Sequence, residues 1–144
     1  GTGLVIASMW LLLPLPNHSD FPFQKLTQFE YAGRVDLAAG EKVVAVFNLD
    51  CEHCQEAASQ LAELAAVSSS FPKLYVLFYQ EGSTTVAEFE ELTAFAYPYA
   101  FIDMNTFFDL IGNSPPRIYH LKAKVETIWD EDFVSHFQET FELN

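Results

Sequence analysis

The sequence predicts an α/β fold in which helices cover a mixed central sheet, and three observations support this class. Two short apolar runs, at residues 42–49 and 74–79, are typical of strands buried on both faces. Amphipathic segments follow each run, and this alternation favours parallel strands with right-handed crossovers. A strand hairpin and a last helix close the chain, and the hairpin adds antiparallel strands at one side of the sheet.

The composition is typical of one folded domain with a sizeable core. The chain has 144 residues, half of them hydrophobic, and its 14 phenylalanines exclude a disordered segment. Its formal net charge of -13 excludes a nucleic-acid partner, because such a surface repels phosphate backbones. The charge also argues against docking on anionic lipid through a basic patch. We expect residues 21–144 to form the domain and residues 1–20 to be an N-terminal apolar extension or a membrane-proximal linker.

This extension contains an almost uninterrupted apolar run from Leu4 to Pro16. The run is too short to span a bilayer by itself, and Pro14 interrupts it. No Lys or Arg precedes it, so it lacks the charged start of a signal peptide. Two interpretations remain open: a buried strand that packs on the domain, or the end of a membrane helix that tethers it.

The first half of the chain is predicted to form a hairpin, a strand, a helix and a second strand. Residues 21–30 and 33–37 are expected to pair around Ala32 and Gly33. A helix is predicted over residues 51–67, directly after the first buried strand. Its apolar positions share one face at helical spacing: Cys54, Ala57, Ala58, Leu61, Leu64 and Ala65.

The second half adds further helices and strands. Thr85 and Glu88 predict a capping box at the start of a helix. The inner face of that helix is expected to carry Val86, Phe89, Leu92 and Ala96. A short strand at 99–102 and a short helix at 105–111, closed by Gly112, come next. They precede the hairpin of residues 117–121 and 124–129 and an amphipathic helix at 131–143 that directs Phe133, Phe137 and Phe141 inward.

Cys51 and Cys54, the two cysteines of the chain, form a C-E-H-C motif at the junction between the first buried strand and its helix. A thiol reacts as thiolate, and unpaired amides at a helix N-terminus stabilise that anion. Thiols at i and i+3 on a first helical turn can also close a disulfide. The pattern therefore predicts a redox pair in which Cys51 attacks a substrate disulfide and Cys54 resolves the mixed disulfide.

Charged neighbours are expected to tune this pair in opposite directions. Protonated His53 favours the thiolate and so makes the disulfide more oxidising, whereas Glu52 and Asp50 oppose it. Two other interpretations of the motif stay open: half of a metal site, and a cysteine pair without turnover. A zinc site would need four ligands, and the chain has no second cysteine pair, so we expect no metal.

The run F-N-L-D-C-E-H-C-Q-E-A-A after a buried strand, with S-P-P-R-I-Y before a strand hairpin, resembles the thioredoxin superfamily. The resemblance covers residues 21–143 and implies a thioredoxin-like three-layer sandwich with a strand-helix insertion before the cis-proline loop. It also implies that Pro116 follows a cis peptide bond and faces the cysteines, and that Ser114 and Pro115 belong to the loop that binds the substrate chain. The alternative for Pro115 and Pro116 is a plain strand-entry turn.

Two departures from thioredoxin make a general reductant a poor expectation. Asp50 stands where thioredoxins have Trp, and Ala45 stands where they bury an Asp as a proton acceptor. The insertion at 99–111 is similar to that of membrane-anchored, extracytoplasmic thioredoxin-like proteins. The cysteine run and the apolar lead-in also resemble the soluble tail of DoxX/MauE-type membrane proteins. These resemblances imply a bacterial periplasmic location and a membrane redox partner.

Together these observations predict a thiol–disulfide oxidoreductase that acts on protein thiols and disulfides and needs no cofactor. The alternatives are a non-catalytic binding module on the same fold, for metal delivery or partner docking, and a redox sensor. Aromatic residues before the proline loop are expected to pack in the core or rim, or else to form a hydrophobic patch: Tyr97, Tyr99, Phe101, Phe107 and Phe108. His120, on a strand, is expected to be a buried histidine with a hydrogen-bond partner rather than a ligand.

Overall fold

A computed structural model describes residues 26–143, so the predictions for residues 1–20 lie outside the described part of the chain. The elements are β1 (Gln28–Phe29), β2 (Gly33–Arg34), β3 (Glu41–Asn48), α1 (Glu52–Val67), β4 (Leu74–Tyr79), α2 (Val86–Thr93), β5 (Tyr99–Phe101), α3 (Met104–Ile111), β6 (Arg117–Lys122), β7 (Val125–Trp129) and α4 (Phe133–Phe141). None of the helices within residues 26–143 is long and apolar enough to cross a bilayer.

The central sheet has the strand order β5-β4-β3-β6-β7. Strands β3, β4 and β5 are parallel, and the hairpin of β6 and β7 joins β3 in antiparallel orientation. The predicted mixed α/β sheet is therefore confirmed. Because β6 is antiparallel to β3, the edge where β3, β4 and β5 end is also the edge where β6 begins. We call it the carboxyl edge.

Side chains alternate along β3 into two separate cores, as the pleat of a strand requires. Val43, Ala45 and Phe47 pack with α1, α2 and α4 on one face. Val44 and Val46 pack with α3 and with the segment that follows β2 on the other. These two cores explain why the run at 42–49 is continuously apolar, and they give the three layers that the resemblance implies.

The first helix follows the predicted pattern closely. It begins at Glu52 with Cys51 as its N-cap, and its buried positions are Cys54, Ala57, Ala58, Leu61 and Leu64. Ala65 is only half-buried. The helix ends at Val67, and the hydroxyl of the C-cap residue Ser68 donates a hydrogen bond to the carbonyl of Leu64 (2.6 Å).

The second helix differs from its prediction, although its capping box of Thr85 and Glu88 is confirmed. Leu92 is 64% exposed, and Thr93 takes the inner position instead. Burial of Thr93 is possible because its hydroxyl donates to the carbonyl of Phe89 (2.8 Å) and accepts from the amide of Phe95 (3.2 Å). Ala94 then adopts a left-handed conformation that ends the helix, which leaves Ala96 outside it.

The predicted N-terminal hairpin can be compared only from residue 26, because residues 21–25 lie outside the described part of the chain. Within the described residues only β1 and β2 pair, with two residues in each strand, and they lie outside the main sheet. Tyr31 and Gly33 in the turn have positive φ angles of 76° and 72°. A single bridge between Glu30 and Tyr99 connects the hairpin to β5.

Replacing Phe47 by alanine tests the core on which α1 rests. The Phe47 ring is fully buried and lies 5.6–6.5 Å from the rings of Phe78, Phe89 and Phe95. We expect Phe47→Ala to lower the free energy of unfolding by about 3–5 kcal/mol, measured by urea denaturation. The control Leu92→Ala, at an exposed position, should change it by less than about 0.5 kcal/mol. Equal losses in the two variants would contradict this description of the core.

Candidate active site

Cys51 lies where the chain turns from β3 into α1. Its amide donates to the carbonyl of Asn48 (3.1 Å), and its own carbonyl accepts the amide of Gln55 (3.0 Å), the first hydrogen bond of the helix. The pKa of the half-buried thiol is lowered to about 6. Hydrogen bonding from the Cys54 thiol is the largest cause, and the amides of Cys54 and His53 and the charge of His53 add to it against the opposing effect of burial. The lowered pKa favours the thiolate form of Cys51 at neutral pH.

Cys54 is fully buried one turn further along, among the residues that α1 packs on the sheet. Burial raises its pKa far above the ordinary value, and the neighbouring Cys51 raises it further, although the Asn48 amide, 3.4 Å from Sγ, acts in the opposite direction. The two thiols therefore differ strongly: Cys51 is anionic and accessible, whereas Cys54 is protonated and shielded. Ala45 belongs to the same buried cluster and supplies no proton acceptor.

Asn48 organises the turn, a role that the sequence motifs do not predict. Its carbonyl accepts from Cys51, its side-chain oxygen accepts the amide of Asp50 (3.0 Å), and its side-chain nitrogen donates to Glu81 (3.1 Å). A signal was available in the sequence, because Asn48 is the one polar side chain between Val43 and Leu49. Such a residue at the end of a buried strand must find hydrogen-bond partners.

Asp50 lies beside the cysteines, but its carboxylate binds the loop after β4. It accepts the amides of Gly82 (2.7 Å) and Thr84 (3.1 Å), and its pKa is lowered, most strongly by the side chain of Thr84. The loop approaches so closely that a Cβ at Gly82 would lie 3.0 Å from the Asp50 carboxylate. Neither Asp50 nor the exposed Glu52 is among the causes of the lowered pKa of Cys51, whereas His53 is.

The Pro115–Pro116 peptide bond is cis, as the resemblance implies. Arg117 pairs with Val46 near the end of β3, so the proline loop lies at the carboxyl edge, on the strand next to the one that leads to Cys51. Ser114 is exposed, Pro115 is half-buried and Pro116 is buried. The sheet topology thus brings the three loop residues and the cysteines to the same edge.

Arg117 anchors this loop, a role that the sequence motifs do not predict either. Its guanidinium donates to both carboxylate oxygens of Asp130 (2.7 and 3.3 Å) and to the carbonyl of Leu110 (3.3 Å). The Tyr119 hydroxyl donates to the same carbonyl. These contacts connect β6 and β7 to the last turn of α3.

Within residues 26–143, no three His, Cys, Asp or Glu side chains are arranged to hold a metal ion. His120 is buried and lies 2.7 Å from the Glu41 carboxylate, as expected of a histidine with a hydrogen-bond partner. Its ring also stacks on Trp129 at 5.8 Å. Among the aromatic residues before the proline loop, Phe107 is buried, Tyr97 and Tyr99 are half-buried, and Phe101 and Phe108 are exposed.

Comparison with known proteins gives one curated relative to report. The chain is 32% identical over 73 residues to protein TlpB of Flavobacterium psychrophilum. The match covers 51% of this chain, which spans only 20% of the length of that relative. No family model matches the chain.

Solved structures are similar over most of the chain. A thiol:disulfide interchange protein from Bacteroides sp. matches with a TM-score of 0.58 at 12% identity, covering 81% of this chain and 85% of its own. The thioredoxin domain of a thiol-disulfide oxidoreductase from Bacteroides vulgatus gives 0.56 at 12% identity, covering 74% and 81%. A secreted disulfide oxidoreductase from Mycobacterium tuberculosis gives 0.55 at 12% identity, covering 70% and 81%. At such low identity these matches establish the fold, and the chain has the thioredoxin-like fold that its sequence predicts.

Proposed function

We propose that the chain is a thiol–disulfide oxidoreductase that exchanges electrons with protein substrates through Cys51 and Cys54. The observation that carries the proposal is the placement of two adjacent thiols, with half-buried Cys51 at the N-cap of α1 and Cys54 buried in the core one turn later. This placement shifts their pKa values in opposite directions. Strongly perturbed pKa values of this kind are characteristic of functional sites. The names of the similar solved structures support the same activity.

In the proposed reaction, the Cys51 thiolate attacks one sulfur of a substrate disulfide. A new S–S bond joins Cys51 to the substrate, and the other substrate sulfur leaves as a thiolate that takes a proton from water. Cys54 then gives its proton to water and attacks the Cys51 sulfur. The Cys51–substrate bond breaks, the Cys51–Cys54 disulfide forms, and the second substrate sulfur leaves as a thiolate that takes up a proton. The substrate gains two electrons and the cysteine pair loses two; the reverse sequence oxidises a substrate dithiol. Ser114, Pro115 and Pro116 would hold the substrate chain beside Cys51.

We further propose that this exchange takes place outside the cytoplasm, with residues 21–144 as the redox domain and residues 1–20 as its connection to a membrane partner. A secreted protein among the similar solved structures supports the location. The absence of an acidic group at position 45 favours a specific partner over rapid general reduction, because the Ala45 side chain cannot take the proton of Cys54 during resolution.

Substituting each cysteine tests the order of the two steps. Cys51→Ser should reduce dithiothreitol-dependent insulin reduction to the uncatalysed background, because the attacking thiolate is gone. Cys54→Ser should instead accumulate a mixed disulfide between Cys51 and substrate, detected by mass spectrometry. Full activity in Cys51→Ser would exclude the mechanism. A redox sensor would be oxidised reversibly in the wild-type chain without catalysing turnover in the same assay.

The pKa of Cys51 predicts the pH profile of its alkylation. The rate with iodoacetamide should rise about tenfold per pH unit below pH 6 and level off above it, because the thiolate is the reacting form. Cys54→Ala should move this midpoint upward by removing the donor, whereas Cys54→Ser, which retains a hydroxyl donor, should move it less. A midpoint that is the same in all three proteins would show that Cys54 does not stabilise the thiolate.

The charges on the helix turn predict opposite shifts of the reduction potential. His53→Gln removes a group that stabilises the Cys51 thiolate, so the pair should become more reducing by about 10–30 mV in glutathione titrations. Glu52→Gln removes an exposed negative charge and should make the pair more oxidising by a smaller amount, because Glu52 is not among the groups that shift the pKa of Cys51. Shifts in the same direction would contradict electrostatic tuning by these residues.

A further inference from the structure

Helix α3 has an unusual exposed face. Met104 and Phe108, which we call the α3 stripe, are 52% and 55% exposed and lie one turn apart, at i and i+4 on the same face. The opposite side of the helix buries Phe107, Leu110 and Ile111. A surface helix ordinarily presents polar residues to water, so an apolar stripe on the outside marks a candidate contact surface.

The α3 stripe is carried by a helix that packs on one face of the sheet, near the carboxyl edge. The helix begins three residues after β5 ends, the Phe108 ring lies 6.4 Å from that of Tyr79 at the end of β4, and Leu110 accepts hydrogen bonds from Arg117 at the start of β6. The helix therefore crosses from β5 towards β6. Its last turn leads through exposed Gly112 and Asn113 into the proline loop, so the helix that carries the stripe connects directly to the proposed substrate-binding loop.

Short contacts connect the α3 stripe to Cys51. Phe108 contacts Tyr79, Tyr79 lies opposite Asn48 on the neighbouring strand, and Asn48 accepts the amide of Cys51. Adding these steps gives a path of about 20 Å from the Phe108 ring to the Cys51 amide, which about six residues of extended chain can span. A polypeptide whose cysteine reacts with Cys51 can therefore reach the stripe with its flanking residues.

Charge is distributed unevenly between the two edges of the sheet. Each lysine within residues 26–143 lies at or beside the edge opposite Cys51, near the start of β3 and β4 and in the turn after β6: Lys42, Lys73, Lys122 and Lys124. The carboxyl edge carries exposed Glu52, Glu81 and Asp109, and its Arg117 is paired with Asp130. A partner at this edge is attracted when it is basic.

We infer that the α3 stripe is the docking surface for the polypeptide substrate, and that this substrate carries apolar side chains flanked by lysine or arginine within about six residues of its reactive cysteine. The inference rests on the proposed function of Cys51. Met104 and Phe108 would bury the apolar side chains of the substrate, and Asp109 and Glu81 would attract its basic residues. Specificity would then come from α3, while Cys51 supplies the reaction.

The test uses the full chain with Cys54→Ser, in which the mixed disulfide cannot be resolved. Three peptides of equal length each carry one cysteine as its glutathione disulfide. Five residues away they carry Leu-Phe between lysines, Leu-Phe between glutamates, or Ser-Ser between lysines. Cys51 attacks the peptide sulfur, the new S–S bond forms, and glutathione leaves as a thiolate. Mass spectrometry at equilibrium gives the capture constant of each peptide.

We expect the Leu-Phe peptide with lysines to be captured about tenfold more strongly than either of the other peptides. Met104→Gln/Phe108→Gln should remove most of the preference for Leu-Phe over Ser-Ser. Asp109→Asn, which leaves the apolar stripe intact, should weaken the preference for lysine over glutamate. Val67→Gln is the matched control, because Val67 is 70% exposed at the far end of α1, and it should change neither preference.

Equal capture of all three peptides would overturn the inference and leave the proposed function intact, whereas no capture of any of them would contradict the proposed function itself. Sedimentation of the same variants tests whether a second copy of the chain binds the α3 stripe instead. If Met104→Gln/Phe108→Gln converts a dimer into a monomer without changing peptide preference, a second copy of the chain binds the stripe and the inference is wrong. Binding to neutral phospholipid vesicles that is lost in this variant, with peptide preference unchanged, would equally overturn it.

Discussion

The chemistry of this site depends on the abrupt turn between a buried strand and the helix that follows it. Asn48 ends β3, its carbonyl holds the amide of Cys51, and α1 begins at the next residue. The turn places one thiol at the start of the helix and directs the other, one turn later, into the core. The backbone and side-chain groups of Asn48 all have hydrogen-bond partners. These contacts fix the turn to α1 through Cys54 and to the loop after β4 through Glu81.

The difference between the two thiols follows from that geometry. A sulfur at the helix start is surrounded by donors and is stabilised as an anion, whereas a sulfur packed among apolar side chains is stabilised as a neutral thiol. Cys54 contributes to both effects. Its thiol proton stabilises the Cys51 thiolate through a hydrogen bond, and its own burial disfavours loss of that proton. The negative charge of the chain contributes less to the difference between the two thiols than its size suggests. The Asp50 carboxylate, although close in sequence to Cys51, binds the loop of Gly82 and Thr84.

The same edge of the sheet also gathers groups that are distant in the chain. The antiparallel pairing of β6 with β3 places Pro116 next to the end of the strand that leads to the cysteines. Near the same edge, α3 crosses one face of the sheet from β5 towards β6. Arg117 holds that helix and the end of β7 together. An exposed apolar stripe can persist there because the other side of α3 is anchored in the second core.

Local patterns in the sequence were sufficient for much of the fold. The runs that form β3 and β4 are apolar throughout, and the capping box of Thr85 and Glu88 lies within four residues, so both can be identified without knowing the rest of the chain. The inner face of α2 could not be identified in this way. Thr93 is buried there instead of Leu92, because its hydroxyl forms hydrogen bonds that depend on where the helix ends. Hydrophobicity alone favours Leu92.

The C-x-x-C motif was likewise identifiable, because both cysteines and the strand that precedes them are neighbours in the chain. Three polar contacts could not be identified from the sequence, because each joins residues on different strands or loops. They are the contacts of Asn48 with Glu81, of Asp50 with Gly82 and of Arg117 with Asp130. Composition and periodicity specify which segments form strands and helices and where the reactive thiols lie. Which polar groups meet at the carboxyl edge, and which side of α3 faces water, depend on how those segments pack, since contacts between distant residues exist only once the sheet has formed.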